Sequence, residues 1–244
     1  MLKLLLTCEH GGNSIPPAYR ALFEGHDALL ATHRGYDIGA LDLFNHLKDL
    51  TPDSFFAVES RLLVELNRSV GQEDLFSGIT GKLTEEEKNV LLQKHYYPFR
   101  NQVEQVVQGH MAAGNQVLHV AVHSFTPELN GEIRQADIGL LYDPERGPEH
   151  LFCSDWKKAL ELEAPEFQVR YNYPYLGTAD GFPTYLRHKF DASQYGGIEL
   201  EVNQKYAQEA HRQWHRLKVV LRKTLRSTFE KHSQGFAAQQ PLTP

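Results

Sequence analysis

The feature that most constrains the fold is a short, almost wholly apolar stretch in the middle of the chain, Val117–Val122. A strand that is apolar on both sides has to be covered on both sides, as in a parallel sheet with helices on each face. A second such stretch, at residues 2–8, opens the chain and ends in a Gly-Gly-Asn-Ser-Ile-Pro cluster typical of a turn. The two stretches predict buried strands of an α/β sheet.

Shorter patterns extend this prediction along the rest of the chain. Further strands are predicted at 55–59, 62–66, 137–142, 167–171 and 197–203. Helices are predicted at 16–23, 37–47, 148–162, 184–190 and 206–229, and another begins at Thr84 and is broken by Pro98. Without internal repeats or a linker, the pattern favours one α/β domain with a mixed, mostly parallel sheet flanked by helices. We expect it to span residues 1–232, followed by a flexible Gln- and Pro-rich tail at 233–244.

Composition excludes several classes of protein. The 244 residues carry a formal net charge of −6 and no dense block of Lys or Arg, which argues against nucleic acid or an anionic membrane as the main partner. Cys8 and Cys153 are too few for a disulfide framework. No apolar run approaches the roughly 20 residues of a membrane span. We therefore expect a soluble cytoplasmic protein, whose oligomeric state the sequence does not indicate.

Polar side chains stand where three of the predicted strands end. Glu9 and His10 follow the first strand, His123 follows the central strand, and Glu199 and Glu201 share one face of the last strand. Two histidines and a carboxylate are a common catalytic zinc shell, and a further carboxylate beside them can act as a general base. The alternative for His123 is a buried structural histidine. No HExxH pattern is present, so this is not a helix-borne metalloprotease site.

Two arginines and an asparagine form a second candidate group. Arg61, Asn67 and Arg68 suit the recognition of an amino-acid carboxylate or the polarisation of an amide carbonyl. Their ordinary alternative is a set of surface ion pairs. Asp37 lies at the beginning of a predicted helix, where an N-cap is the ordinary use of an aspartate.

Six segments, in order and spread over nearly the whole chain, resemble the N-formylglutamate amidohydrolase family. They are Cys8–Asn13, His33–Ala40, Arg61–Arg68, His123–Phe125, Asn172–Gly177 and Leu200–Asn203. That family is similar in fold to zinc carboxypeptidases and aminoacylases, which implies a zinc-exopeptidase-like (phosphorylase/hydrolase-like) domain with one zinc ion at the strand ends.

The resemblance implies that His10, Asp37 and His123 hold the zinc. In the carboxypeptidases a glutamate three residues after the first histidine is a ligand, but here that residue is Asn13, a poor zinc ligand. Asp37 is therefore the first choice for the carboxylate ligand and Glu9 the second.

The resemblance also implies an activity, in which a metal-bound water attacks the amide of an N-acyl amino acid. The substrate that the resemblance implies is N-formyl-L-glutamate, cleaved to L-glutamate and formate, a reaction of histidine degradation. Glu201 resembles the general base and Arg61 the oxyanion-polarising arginine. Asn67 and Arg68 resemble the pair that holds the substrate carboxylate, with Tyr175 as a further substrate contact.

Two alternative functions remain open at this point. A metallocarboxypeptidase or cell-wall peptide amidase would use the same shell, and a wide loop at 71–81 would favour it by admitting peptides. A non-catalytic protein that binds an amino-acid derivative on the same scaffold would bind it without metal.

Overall fold

A β-sheet forms the middle layer of the computed structural model, which describes residues 1–209 and 211–239. The strands are β1 (Leu2–Cys8), β2 (Ser54–Phe56), β3 (Gln116–Phe125), β4 (Glu128–Leu129), β5 (Glu132–Ile133), β6 (Ile138–Leu141), β7 (Val169–Tyr171) and β8 (Tyr195–Asn203). The sheet has six strands in the order β2-β1-β3-β8-β6-β7, and its neighbouring strands are parallel except β6 and β8. Strands β4 and β5 form a separate hairpin.

Helices cover both faces of the sheet. They are α1 (Asp27–Leu30), α2 (Ala40–Leu47), α3 (Glu85–Leu91), α4 (Tyr97–Ala112), α5 (Gly147–Glu163), α6 (Phe182–Lys189), α7 (Lys205–Glu209) and α8 (His211–Gln239). A π-helical turn at Leu92–Tyr96 joins α3 to α4, with Pro98 in the first turn of α4. None of the described helices is both long and apolar enough to cross a membrane.

The central strand β3 divides its side chains between two cores. Leu118, Val120 and Val122 pack with α2, α5 and α8 in the larger apolar cluster. Val117 points the other way, into a smaller cluster with α4 and α6. Because side chains alternate along a strand, His119 and His123 lie on the same face as Val117. The face of the sheet with the smaller apolar cluster therefore also carries the two buried histidines of β3.

The predicted α/β architecture with a mixed, mostly parallel sheet is confirmed, but one predicted strand is wrong. Residues 62–66 form turns rather than a strand, since the Leu63 N–H donates to the Ser60 carbonyl at 2.9 Å. The apolar side chains of this segment are buried, but in a local cluster away from the sheet, with Leu75, Leu91 and Tyr96. An apolar run in a sequence indicates that the segment is buried. Here helices and loops, and not neighbouring strands, bury the segment.

The end of the chain also differs from expectation in part. Helix α8 continues to Gln239, so residues 233–239, assigned to a tail from the sequence, are helical. Residues 240–244 of that predicted tail lie outside the described residues.

A buried ion pair joins α5, α6 and β8. The Arg187 guanidinium donates from Nε to Glu149 Oε1 at 3.0 Å and from Nη2 to the Gly197 carbonyl at 2.6 Å. The second Glu149 oxygen accepts from the Asp143 N–H at 2.9 Å. Glu149 is fully buried and Arg187 nearly so, and Arg187 is the cation that hydrogen-bonds the carboxylate, since Arg146 Nε lies farther away at 3.4 Å.

We expect Arg187→Leu to reduce the free energy of unfolding by about 3–5 kcal/mol, because it leaves the Glu149 carboxylate buried without its partner. Urea unfolding followed by circular dichroism measures this. The matched control is Arg226→Leu, which removes an exposed pair with Glu230 on α8 and is expected to leave the unfolding midpoint unchanged. Equal midpoints for the two variants would contradict the structural role of the Arg187 pair.

Candidate active site

A small polar cavity of about 170 Å³ opens at the carboxyl ends of β1, β3 and β8. This is the edge at which open α/β sheets bind their ligands. All eight residues that sequence analysis assigned to the site line it. The lining residues are His10, Asp37, Arg61, Asn67, Arg68, His123, Ser124, Tyr175, Leu176, Ala179, Asp180, Glu199 and Glu201.

The carboxylate of Asp37 stands between the two imidazoles. Its Oδ2 lies 3.3 Å from His10 Nδ1 and 2.9 Å from His123 Nδ1. The three side chains are buried, and one ligand atom from each lies within 4.8 Å of the others. Asp37 does not cap helix α2, whose N-cap residue is Gly39. The N-cap alternative for Asp37 is therefore wrong.

Backbone contacts fix these three residues relative to one another. The Asp37 N–H donates to the His10 carbonyl at 3.0 Å, and the Ser124 N–H reaches Asp37 Oδ2 at 3.3 Å. The turn after β1 fits only because it contains glycines: a Cβ on Gly11 or Gly12 would lie 2.7 or 2.4 Å from a carbonyl oxygen of residues 57–58. The two glycines therefore leave room for the backbone of residues 57–58 to pack against the turn, and not for a ligand.

Each imidazole has a second carboxylate on its far side. Glu65 contacts His10 Nε2, and Glu9 Oε2 lies 3.3 Å from His123 Nε2. Both glutamates are buried. Each histidine therefore directs Nδ1 to the shared Asp37 and Nε2 to a glutamate of its own.

Arg61 is the main cation in this group of acids. It donates from Nε to Glu65 Oε2 at 2.6 Å and from Nη1 to Asp37 Oδ1 at 3.2 Å. Burial opposes ionisation of Glu65, but Arg61 and His10 outweigh it and hold the pKa of Glu65 well below its usual range. His10 and its hydrogen bond do the same for the pKa of Asp37. Burial also opposes ionisation of Glu9, and the hydrogen bond and charge of His123 lower its pKa to about 2.

Glu201 differs from Glu9, Glu65 and Asp37 because no cation among the described residues forms an ion pair with it. It is buried and lies beside His123 in the β3–β8 register, and its Oε2 has no hydrogen-bond partner among the described residues. Burial, together with the charges of Asp37 and Glu199, raises the pKa of Glu201 to about 8. A carboxyl group with a raised pKa, aimed into a cavity, is suited to exchanging protons near neutral pH.

Asn67 and Arg68 also line the cavity. Asn67 Nδ2 donates to Glu199 Oε1 at 2.9 Å, and Asn67 Oδ1 accepts from the Phe182 N–H at 2.6 Å. Arg68 Nη1 donates to the carbonyls of Asn67 and Asp180. One edge of the Arg68 guanidinium is thus anchored to backbone, and the side chain lines the cavity.

Tyr175 stands at the mouth of the cavity and is 46% exposed. Its loop is shaped by Asn172, whose Oδ1 accepts from the N–H groups of Tyr142 and Gly177 at 3.0 and 3.1 Å. Arg134, which follows the β4–β5 hairpin, donates to the Tyr175 hydroxyl at 3.2 Å.

The donor set of His10, Asp37 and His123 fits a divalent metal ion. Two imidazole nitrogens and a carboxylate oxygen are zinc ligands, and three such ligands leave a coordination position open. The surrounding charge agrees with this: Glu9 and Glu65 add two carboxylates behind the imidazoles, an excess of buried negative charge that a cation would offset.

The sequence did not single out Glu65 as a site residue, although it bridges His10 and Arg61. The signal in the sequence was an acidic residue inside an apolar run, Leu62–Leu66, directly before Asn67 and Arg68. Glu9, the second choice for the carboxylate ligand, faces His123 Nε2 and not the position shared with His10. Among the histidines without a predicted role in the site, His119 is buried below it on the same face of β3.

Similarity to known proteins agrees with this geometry. The sequence profile of the N-formylglutamate amidohydrolase family matches residues 2–207. A crystal structure of a gene product from Agrobacterium tumefaciens is 26% identical, with a TM-score of 0.72, over 92% of this chain and 91% of its own. The structure of N-formylglutamate amidohydrolase from Ralstonia eutropha JMP134 is 17% identical, with a TM-score of 0.65, over 96% of each chain.

No curated protein sequence matches the chain. The family profile nevertheless covers every residue of the cavity, from His10 to Glu201, so family membership and the site described above concern the same part of the chain. The chain belongs to the N-formylglutamate amidohydrolase family.

Proposed function

We propose that this protein is a zinc-dependent amidohydrolase that cleaves N-formyl-L-glutamate to L-glutamate and formate. The observation that carries the proposal is the convergence of His10, Asp37 and His123 on one position, beside the unpartnered carboxyl group of Glu201. Family membership supports amide hydrolysis, and the donor set supports a metal. Zinc bound there would supply Lewis-acid chemistry, polarising an amide carbonyl and acidifying water.

In this proposal Glu201 moves the proton. Its carboxylate takes a proton from the attacking water and later gives it to the nitrogen of the leaving amine, so that the amide C–N bond breaks and glutamate leaves as a neutral amine. Its pKa of about 8 describes the site without a cation, and a nearby metal charge would lower that pKa and favour the basic form.

The arginines would bind the charged parts of the substrate. Arg68 has N–H groups beyond the Nη1 contacts to backbone, and a carboxylate suits the free edge of its guanidinium. Arg61 uses part of its donor set on Glu65 and Asp37, which leaves one N–H on each of Nη1 and Nη2 for a developing oxyanion. Asn67 keeps one amide hydrogen for the substrate, and Tyr175 would close the mouth.

The size of the cavity favours a small substrate over a peptide. Its volume of about 170 Å³ is below the roughly 300 Å³ at which pockets for drug-sized ligands begin. The loop at 71–81 is not a wide opening, because Leu75 and Thr80 are buried and pack it against the body of the protein. These features support the amidohydrolase over a metallocarboxypeptidase or a cell-wall amidase.

Zinc dependence is tested by measuring formate release from N-formyl-L-glutamate before and after chelation and after zinc is restored. We expect about one zinc per chain, activity lost with the chelator and recovered with zinc, and neither binding nor activity in His123→Ala. The control is His188→Ala, an exposed histidine of α6, which should behave as wild type. Full activity in the chelated protein would overturn the mechanism, and zinc binding with turnover only of peptides would favour the peptidase.

The role of Glu201 is tested by Glu201→Gln, which keeps the size of the side chain but removes the basic oxygen. We expect kcat to fall by about 10²–10⁴-fold while zinc content stays at the wild-type value. The matched control is Glu199→Gln on the same face of β8, whose amide oxygen still accepts from Asn67, and we expect a much smaller effect on kcat. Equal losses in both variants would remove the special role of Glu201.

Arg68→Gln separates binding from chemistry. We expect it to raise KM for N-formyl-L-glutamate by about 10-fold or more, because it removes a charge-assisted contact worth about 1.5–3 kcal/mol. Zinc content should not change. A KM equal to that of wild type would place the substrate carboxylate elsewhere.

A further inference from the structure

A hydrogen-bonded chain of buried polar side chains runs along one face of the sheet, leading away from the cavity. It consists of Thr7 on β1, His119 on β3 and Tyr195 on β8, all between 0 and 1% exposed. All three lie on the face of the sheet that also carries Glu9 and His123. None of them lines the cavity, so the proposed chemistry does not use them directly.

The contacts in this chain are short and continuous. His119 Nε2 lies 2.7 Å from the Thr7 hydroxyl, and His119 Nδ1 lies 2.7 Å from the Tyr195 hydroxyl. Burial lowers the pKa of His119 to about 4, so the ring is neutral and has one N–H donor and one acceptor nitrogen. The hydrogen bonds must therefore all run in the same direction along the chain.

The carboxylate of Glu9 selects that direction. Glu9 is 1% exposed, and neither of its oxygens makes a hydrogen bond of ordinary geometry within the described residues. His123 Nε2 lies 3.3 Å from Glu9 Oε2, and Thr7 stands two residues before Glu9 on the same side of the extended backbone. A carboxylate has only acceptor oxygens, and a buried acceptor without a donor costs about 1–3 kcal/mol or more.

Only one direction gives Glu9 both donors. Tyr195 donates its hydroxyl hydrogen to His119 Nδ1, His119 Nε2–H donates to Thr7, and the Thr7 hydroxyl is left to donate to Glu9. In the opposite direction the Thr7 hydrogen is used on His119 Nε2, and Glu9 loses it. The stable arrangement is therefore the one in which Glu9 accepts from Thr7 on one side and from His123 Nε2–H on the other.

We propose that Glu9 and the hydrogen-bonded side chains of Thr7, His119 and Tyr195 fix the tautomer of His123. They hold its hydrogen on Nε2, so that the Nδ1 lone pair faces the metal position. The inference rests on the metal site of the proposed function and adds that its affinity is set in part by residues far below the cavity. Thr7, Glu9, His119 and Tyr195 are positioning residues, because they act through His123. Carboxylates and hydroxyls behind a metal-binding histidine orient the ring and raise its basicity.

The carboxylates that contact Nε2 of His10 and of His123 differ in their own partners. His10 Nε2 is held by Glu65, which Arg61 pairs directly at the cavity. His123 Nε2 instead contacts Glu9, whose own oxygens have no hydrogen bond of ordinary geometry within the described residues. Removing one hydroxyl at Thr7 should therefore weaken the His123 side of the site alone.

The test is the zinc affinity of Thr7→Val, which has nearly the same shape as wild type without the hydroxyl. Competition with a chromophoric chelator measures the dissociation constant, and we expect zinc binding to weaken by about 10–100-fold. The matched control is Thr51→Val, a buried threonine that donates to the Leu4 carbonyl and does not touch the chain, and its affinity should equal that of wild type. Tyr195→Phe, which removes the far end of the chain, should weaken zinc binding less than Thr7→Val does.

A second measurement separates positioning from a loss of fold. Long-range ¹H–¹⁵N NMR of the zinc-loaded wild type should show His123 with its hydrogen on Nε2, and urea unfolding compares the stability of the two threonine variants. Wild-type zinc affinity in Thr7→Val, or a hydrogen on Nδ1 of His123, would overturn this inference and leave the metal site standing. A wild-type protein that binds no zinc would overturn the metal site and this inference together.

Discussion

The carboxylate of Asp37 is the point on which the arrangement of the site depends. One oxygen faces Nδ1 of both His10 and His123 and accepts from the Ser124 N–H, and the other accepts from Arg61. Four separate segments of the chain, around residues 10, 37, 61 and 123, thus meet at one side chain. Because Asp37 is buried, each of these contacts is needed to compensate the loss of its hydration.

Buried charge organises the protein at both ends of β8. Below the site, Glu149 and Arg187 form a closed pair in which nearly every polar atom has a partner. At the site, Glu9 and Glu201 keep oxygens without partners in the described residues. The first arrangement is closed, whereas the second leaves oxygens unsatisfied on Glu201, which lines the cavity, and on Glu9 behind His123. A site that is incomplete by itself is consistent with a bound cation and a substrate.

The alternation of side chains along the strands connects the fold to this chemistry. Odd-numbered residues of β1, β3 and β8 share one face of the sheet, where polar groups extend from Tyr195 up to the cavity. The even-numbered residues form the large apolar core with α2, α5 and α8. One face therefore supplies most of the hydrophobic stabilisation, and the other is free to carry the ionisable groups of the site.

The sequence by itself determined the class of fold, the family and the edge of the sheet where the site lies. Those follow from local patterns: Val117–Val122 had to be a central strand, and His123 and Glu201 had to emerge towards the carboxyl ends of strands. The path of the loops was not determined in this way. Residues 62–66 have the composition of a strand but form turns, since their burial comes from residues further along the chain.

Only the tertiary structure decided which carboxylate faces both histidines. Asp37 and Glu65 reach His10 across 27 and 55 residues, through turns whose course depends on Gly11, Gly12 and backbone contacts to distant segments. Glu9 is next to His10 in the sequence but points to the other side of His123, because neighbouring residues of an extended chain alternate in direction. Spacing along a strand is fixed by the backbone, whereas contacts between loops are fixed only when the whole chain has packed.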